Sequence, residues 1–257
     1  MAVKIDWAQA MRPLLAKYKN KKHPLDYHNV YQLLVMVVLS AQSTDDWINK
    51  LAPKLFTDFP NMEALARATP QLLFPYLKGV RNFAHKAGWL VAIAQKLGTD
   101  KAIPVSQEAL TELPGIGRKS ANVILREAGM SPQGVIVDLH VVRVAPRLGI
   151  VKEDDPKKME QALMTILPRD EWDAGMAMSF LGREICRPKP ECERCLMNTV
   201  CLFYNTKVKG SKTTATKPAK SGAAKAKPKV AAKAPKAGNS KPAKGKPKPP
   251  VNKKTAK

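Results

Sequence analysis

What this chain lacks narrows its class before any motif is read. Its longest apolar run, Leu33 to Leu39, is seven residues, far below the roughly 20 that a membrane helix needs. Met1 to Asn20 carries Asp6 near its start and no long apolar run, which makes a poor secretory signal. Cysteine is scarce: four in 257 residues, all between Cys186 and Cys201, unlike the disulfide framework of a secreted protein of this length. These absences predict a soluble protein of a reducing compartment, with a bacterial cytoplasm as the default and no membrane partner. A nucleus or mitochondrion would suit the same composition.

Acid is also in short supply. Lys and Arg number 44 against 21 acidic residues, a net charge of +23, as expected of a protein that works on a polyanion. From Lys207 to Lys257 there are 17 lysines, seven prolines, and no acid, arginine or aromatic residue at all. Such a stretch cannot bury a core, and it is expected to be a disordered tail. Removing those 17 charges from +23 leaves +6 for residues 1–206, so the tail carries most of the field. Lysines spaced by Ala and Pro can follow phosphates without reading bases, which makes the tail a candidate nonspecific DNA tether; the plainer alternative is that it only solubilises.

Alternating strand patterns are missing too. Apolar residues recur at helical spacing at Val30, Leu33, Leu34, Val37 and Val38, so the fold is expected to be all-α. Further helices are expected over Trp7–Tyr18, Asp45–Phe56, Asn61–Arg67, Gln71–Lys78, Ala84–Leu97, Lys158–Ile166 and Trp172–Glu184, separated by turn signals such as Pro60, Pro70 and Pro168. Ser106 can cap a helix that runs to Leu113, where Pro114 and Gly115 stop it. A second helix starts near Gly117, with Ala121, Ile124, Leu125 and Ala128 as its apolar stripe and Lys119 in its first turn. Val135-Ile136-Val137 leads to Asp138, placed to cap a helix whose inner face is Val141, Val142, Ala145 and Leu148.

Chemistry concentrates in two places. Gly115 and Gly117, between two helices, let the backbone approach a phosphate and present N–H groups to it, although they could also serve only as a tight turn. A lysine there is ordinarily a solvated phosphate contact. Beside a positive helix terminus its ammonium is disfavoured, and the free amine can attack the C1′ carbon of a deoxyribose. Asp138 could stabilise the cationic sugar or move a proton, besides capping its helix. The cysteines read Cys186-x5-Cys192-x2-Cys195-x5-Cys201, a strong metal signal that fits either a [4Fe–4S] cluster or a structural zinc. Arg187, Lys189 and Arg194 lie between the ligands, where a cluster would fix them for phosphate contact.

The string Leu113 to Ile124 (LPGIGRKSANVI), Val137-Asp138, the four-cysteine loop and Leu39-Ser40-Ala41-Gln42-Ser43-Thr44-Asp45 together resemble the endonuclease III family of the helix-hairpin-helix DNA glycosylase superfamily. The resemblance covers residues 25–204. It implies two helical lobes: a six-helix barrel over 23–130, and an iron–sulfur cluster domain made of 1–22 with 131–206. It further implies a bifunctional glycosylase and AP lyase that acts as a monomer on duplex DNA with damaged pyrimidines or abasic sites. Lys119 matches the family's nucleophile, Asp138 its catalytic aspartate, and Gln42 the residue that fills the hole left by a flipped nucleotide; Cys186, Cys192, Cys195 and Cys201 match the [4Fe–4S] ligands. With Arg118, the hairpin glycines complete the expected DNA contacts. Flipping is needed because C1′ is inaccessible within an intact stack.

Three positions depart from the family pattern. The first cysteine gap is one residue short, Leu139 follows Asp138 in place of threonine, and Arg81-Asn82 replaces a Gly-Leu wedge. The competing readings are a monofunctional adenine or uracil mismatch glycosylase, and a catalytically idle DNA-binding or nucleoid protein.

Overall fold

Helices begin where the sequence supplies a cap. In the computed structural model, which describes residues 5–209, Asp6, Asn29, Thr44, Asn61, Ser106, Asp138 and Asp155 each accept a hydrogen bond from a backbone N–H of the following first turn. Each thereby satisfies a donor that the helix itself leaves free. The helices are α1 (Trp7–Tyr18), α2 (Val30–Ser40), α3 (Asp45–Asp58), α4 (Met62–Ala66), α5 (Pro70–Leu73), α6 (Phe83–Leu97), α7 (Gln107–Thr111), α8 (Arg118–Glu127), α9 (Leu139–Leu148), α10 (Pro156–Ile166) and α11 (Ala174–Glu184). Among the described residues there is no strand, so the all-α expectation holds. None of these helices is long and apolar enough to cross a membrane.

Several boundaries differ from the sequence expectation for local reasons. α5 stops at Leu73 because Pro75 has no N–H to continue the ladder. Trp172 precedes α11: it ends a short 3₁₀ turn and donates its indole N–H to the Leu167 carbonyl at 3.2 Å. On α9 the buried face is Val141, Val144, Ala145 and Leu148, while Val142 turns toward the cleft described below. Lys207 and Val208, read as the start of the tail, close a π-helical turn over Tyr204–Val208. Beyond Lys209 that expected tail lies outside the described residues.

Buried residues Tyr31 and Leu33 to Leu39 make α2 apolar nearly all round, and it packs against α3, α6 and α8. α6 is covered by α4 and α5, and α8 by α7. A second set of contacts joins α11 to α9 and to α1. Arg183 of α11 ties the sets together through a 2.8 Å bond to Asp45 of α3. Between them, Val135, Ile136 and Val137 run extended and buried toward Asp138. Gly175 lets α11 lie directly on that segment, since a Cβ there would come within 2.4 Å of the Ile136 carbonyl oxygen.

Candidate active site

A cleft of about 950 Å³ opens where these segments meet, and Lys119, Asp138 and Gln42 all line it. Lys119 sits in the first turn of α8, half-buried. Burial pushes its amine below the usual lysine range, and nearby Arg183 adds to this; Asp138 and Asp45 pull the other way without cancelling it. Part of the lysine population is thereby shifted toward the nucleophilic free amine.

Asp138 is fixed on both oxygens. Oδ1 accepts the N–H groups of His140 and Val141, each at 2.9 Å, and Oδ2 accepts the Ser179 hydroxyl at 2.6 Å. Arg183 Nη2 stands 3.8 Å from Oδ2. Burial alone would raise this carboxyl; the Ser179 and Val141 bonds, with the His140 and Lys119 charges, outweigh it and hold Asp138 below the ordinary range. It is therefore an ionised group whose N-cap role and cleft-facing position coexist.

The sequence reading missed several partners. Ser179 is fully buried on α11 and no motif marked it. Arg183 bridges Asp45 and Asp138, although its buried Nε has no hydrogen-bond partner. His23 lines the same cleft, its Nδ1 accepting the Leu25 N–H at 3.2 Å. Burial, reinforced by the Lys119 charge, lowers His23 to about 4, so it stays neutral near pH 7. His140 is also pushed down, chiefly by burial. Lysine and arginine thus supply cations to the cleft, and His23 does not. Ser179 and His23 lie outside the motifs, Arg183 stands three residues before Cys186 and His140 two after Asp138, yet no local pattern places any of them at the cleft.

The hairpin glycines prove to have different jobs. Gly115 has φ +79, and a Cβ on it would meet Trp89 at 2.4 Å, so the fold itself requires glycine. At Gly117 φ is −95°, and a Cβ would meet nothing within 4 Å. Arg118, expected as a DNA contact, forms a bidentate pair with buried Glu160 of α10 at 3.0 and 3.1 Å, with its own side chain still partly exposed. That pair continues through Asn122 to Gln107, joining α10, α8 and α7. Gly115, Gly117 and Arg118 stand beside the cleft rather than in its lining, and Arg187, Lys189 and Arg194 are exposed on the cysteine loop, also away from it. Arg194 is paired with Glu191. A separate groove of about 850 Å³, lined by Trp7, Leu148, Ile166 and Leu202, contains none of the candidate residues.

All four thiols line one narrow apolar cavity. Arg147 clamps its rim: Nη1 is 3.6 Å from Cys186 Sγ and 2.7 Å from the Arg187 carbonyl, while its own carbonyl accepts from Cys201 Sγ at 3.3 Å. Burial raises the thiols of Cys192, Cys195 and Cys201, and repulsion from the neighbouring cysteines adds to it. Four thiolates could be held together there only around a positive centre. Among the described residues no three His, Cys, Asp or Glu groups converge on a single ion.

Residues 35–169 match the model of the HhH-GPD superfamily base excision DNA repair protein. An endonuclease III of Synechocystis sp. is 36% identical over 206 residues, 78% of this chain and 94% of that protein. A solved non-covalent endonuclease III–DNA complex superposes with a TM-score of 0.71 at 28% identity, covering 81% of this chain and 100% of that one. A trapped endonuclease III–DNA covalent intermediate, an estranged-adenine complex, likewise gives 0.71 at 29% identity, over 80% and 99% of the two chains.

Proposed function

The chain belongs to the HhH-GPD superfamily of base excision DNA repair proteins, as a DNA glycosylase akin to endonuclease III, and we propose that its cleft excises damaged, oxidised pyrimidines from duplex DNA and then cuts the strand as an AP lyase. The observation that carries this reading is a half-buried lysine of lowered pKa sharing a cleft with an anchored, ionised aspartate.

In the first step the Lys119 amine attacks C1′ of a flipped nucleotide, the C1′–N bond breaks, and its electron pair leaves with the base, which takes up a proton. Asp138 stabilises the positive charge that develops on the sugar. Loss of a proton from the nitrogen and opening of the ring give a Schiff base between Lys119 and C1′. Abstraction of a C2′ proton then expels the 3′ phosphate by β-elimination, and hydrolysis of the imine frees the lysine. The covalent endonuclease III–DNA intermediate trapped in the similar structure supports this route. Gly117, with open space where a Cβ would stand at the N-terminus of α8, suits close approach of a backbone phosphate to helix N–H groups.

The four cysteines fit a [4Fe–4S] cluster. Four thiols lining one cavity match four irons, each taking one thiolate, as in the family that the chain belongs to; a lone zinc would draw every sulfur to about 2.3 Å. The cluster would supply a cross-link that shapes the loop carrying Arg187, Lys189 and Arg194. The Lys207–Lys257 segment fits a nonspecific tether. Its removal should flatten the log–log salt dependence of DNA affinity by about 0.9 for each phosphate that the shortened chain no longer neutralises, and an unchanged slope would refute the tether.

The decisive experiment is borohydride trapping on a duplex with one abasic site, comparing the intact chain with Lys119→Gln. A covalent adduct that disappears in the variant is expected. No adduct from metallated protein that binds the duplex would overturn the lyase reading and leave a monofunctional glycosylase.

A further inference from the structure

Among the described residues, Gln42 and Asn82 are the non-glycine positions with left-handed backbone, at φ 59 and φ 56. A residue with a Cβ holds that conformation only where its surroundings impose it. Both are exposed, Gln42 just beyond the end of α2 and Asn82 immediately before α6. They are far apart in sequence, yet their turns are joined: the Arg81 N–H donates to Ser43 Oγ at 3.4 Å, and the Trp47 ring stands 3.0 Å from where a Gly79 Cβ would be.

Beneath both turns lies Lys86, one turn into α6 and only 2% exposed. Its Nζ donates to the Leu39 carbonyl at 2.7 Å and to the Ala41 carbonyl. These acceptors flank the C-terminus of α2, where carbonyls lack helical partners and the dipole favours a cation. Burial lowers the ammonium to about 8, which leaves it mainly charged near neutrality. No carboxylate is bonded to it; both of its hydrogen-bond partners are backbone oxygens on the Gln42 side. A buried lysine is a costly way to end a helix that a C-terminal glycine could end alone. What the lysine adds is a tie from α6, and hence from the Asn82 turn, to the carbonyls on either side of Ser40.

We propose that Lys86 is a positioning residue that locks the Gln42 and Asn82 turns into one rigid edge, which enters duplex DNA and keeps the strands apart when a nucleotide is turned out. The inference rests on the duplex-DNA part of the proposed function and is independent of the lyase step.

The test is optical and needs no chemistry. A duplex carries a stable tetrahydrofuran abasic analogue opposite 2-aminopurine, whose fluorescence rises when it is unstacked, and the signal is read at saturating protein. Lys86→Met should reduce the rise roughly tenfold, and Lys86→Arg, which keeps a buried donor, about two- to threefold, because a misplaced edge fails where a placed one succeeds. Affinity for an undamaged duplex should stay within about twofold in both, since phosphate contacts lie elsewhere. Unchanged fluorescence in either variant would overturn the proposal, as would an equal loss of undamaged-duplex affinity, which marks general damage to the fold. If Lys86→Met does not fold, Lys86→Arg decides alone by the same criteria. An intact chain that unstacks the probe but gives no borohydride adduct would refute the lyase reading while leaving this one standing.

Discussion

All four thiols of the cysteine loop come from one stretch, Cys186 to Cys201, whereas the groups around Lys119 come from five: His23, Asp45, α8, the start of α9, and Ser179 with Arg183 on α11. The loop encodes its donors locally, so their spacing is readable, and burial makes bare thiolates unfavourable without a bound centre. The cleft assembles its charges only when the two sets of helices meet, and it needs no added cation because lysine and arginine face two aspartates. A site built from one segment depends on its ligand; a site built from many depends on packing.

Three perturbations would break or sharpen that contrast. The largest effect is expected from Cys192→Ala, which should abolish the yellow-brown visible absorbance and the bound iron and lower the melting temperature by about 10 °C or more, because metal-binding energy in such loops is folding energy. Retained iron at four per chain would show that the local ligand set has been misread. Next comes the hairpin pair. Gly115→Ala forces a Cβ against Trp89 and should destabilise the chain by about 2–3 kcal/mol in urea unfolding. Gly117→Ala should change stability by less than about 0.5 kcal/mol, since nothing lies within 4 Å, yet weaken DNA binding several-fold. Equal stability losses in the two would erase the distinction between a folding glycine and a ligand-facing one.

The smallest effect tests the assembled cleft. Ser179→Ala removes the 2.6 Å bond to Asp138 Oδ2, a contact to a charged group worth about 1.5–3 kcal/mol. Asp138 is held below the ordinary carboxylate range. Its contribution to stability is therefore present above the unfolded value and fades as pH falls through the folded one. Losing Ser179 lifts the folded value, so the Asp138 carboxyl, followed by ¹³C NMR, should titrate at higher pH in the variant than in the intact chain. An unmoved Asp138 titration would remove Ser179 from control of Asp138.

Most helices could be read from caps and apolar spacing. α1 matches its expected bounds, and Ser106 and Asp138 cap as anticipated. Where the reading erred, a property beyond the local pattern intervened: Val142 was exchanged for Val144 because the facing surface of α11 selects which side of α9 is buried. The pairing of Arg118 with Glu160 went unread because the partner lies 42 positions away. Nothing in the local pattern of α6 marks Lys86 as buried.

The sequence by itself determined the helical class and the hairpin, and it marked out Lys119, Asp138 and four candidate metal ligands, because caps, glycines and clustered thiols act over a few residues. Only the tertiary structure decided which charges surround Lys119, that His23 stays neutral, that Arg118 pairs with Glu160, and that Lys86 is buried beneath two turns. Each of these depends on desolvation and on Coulomb interaction between segments distant in the chain, quantities that do not exist until the helices pack.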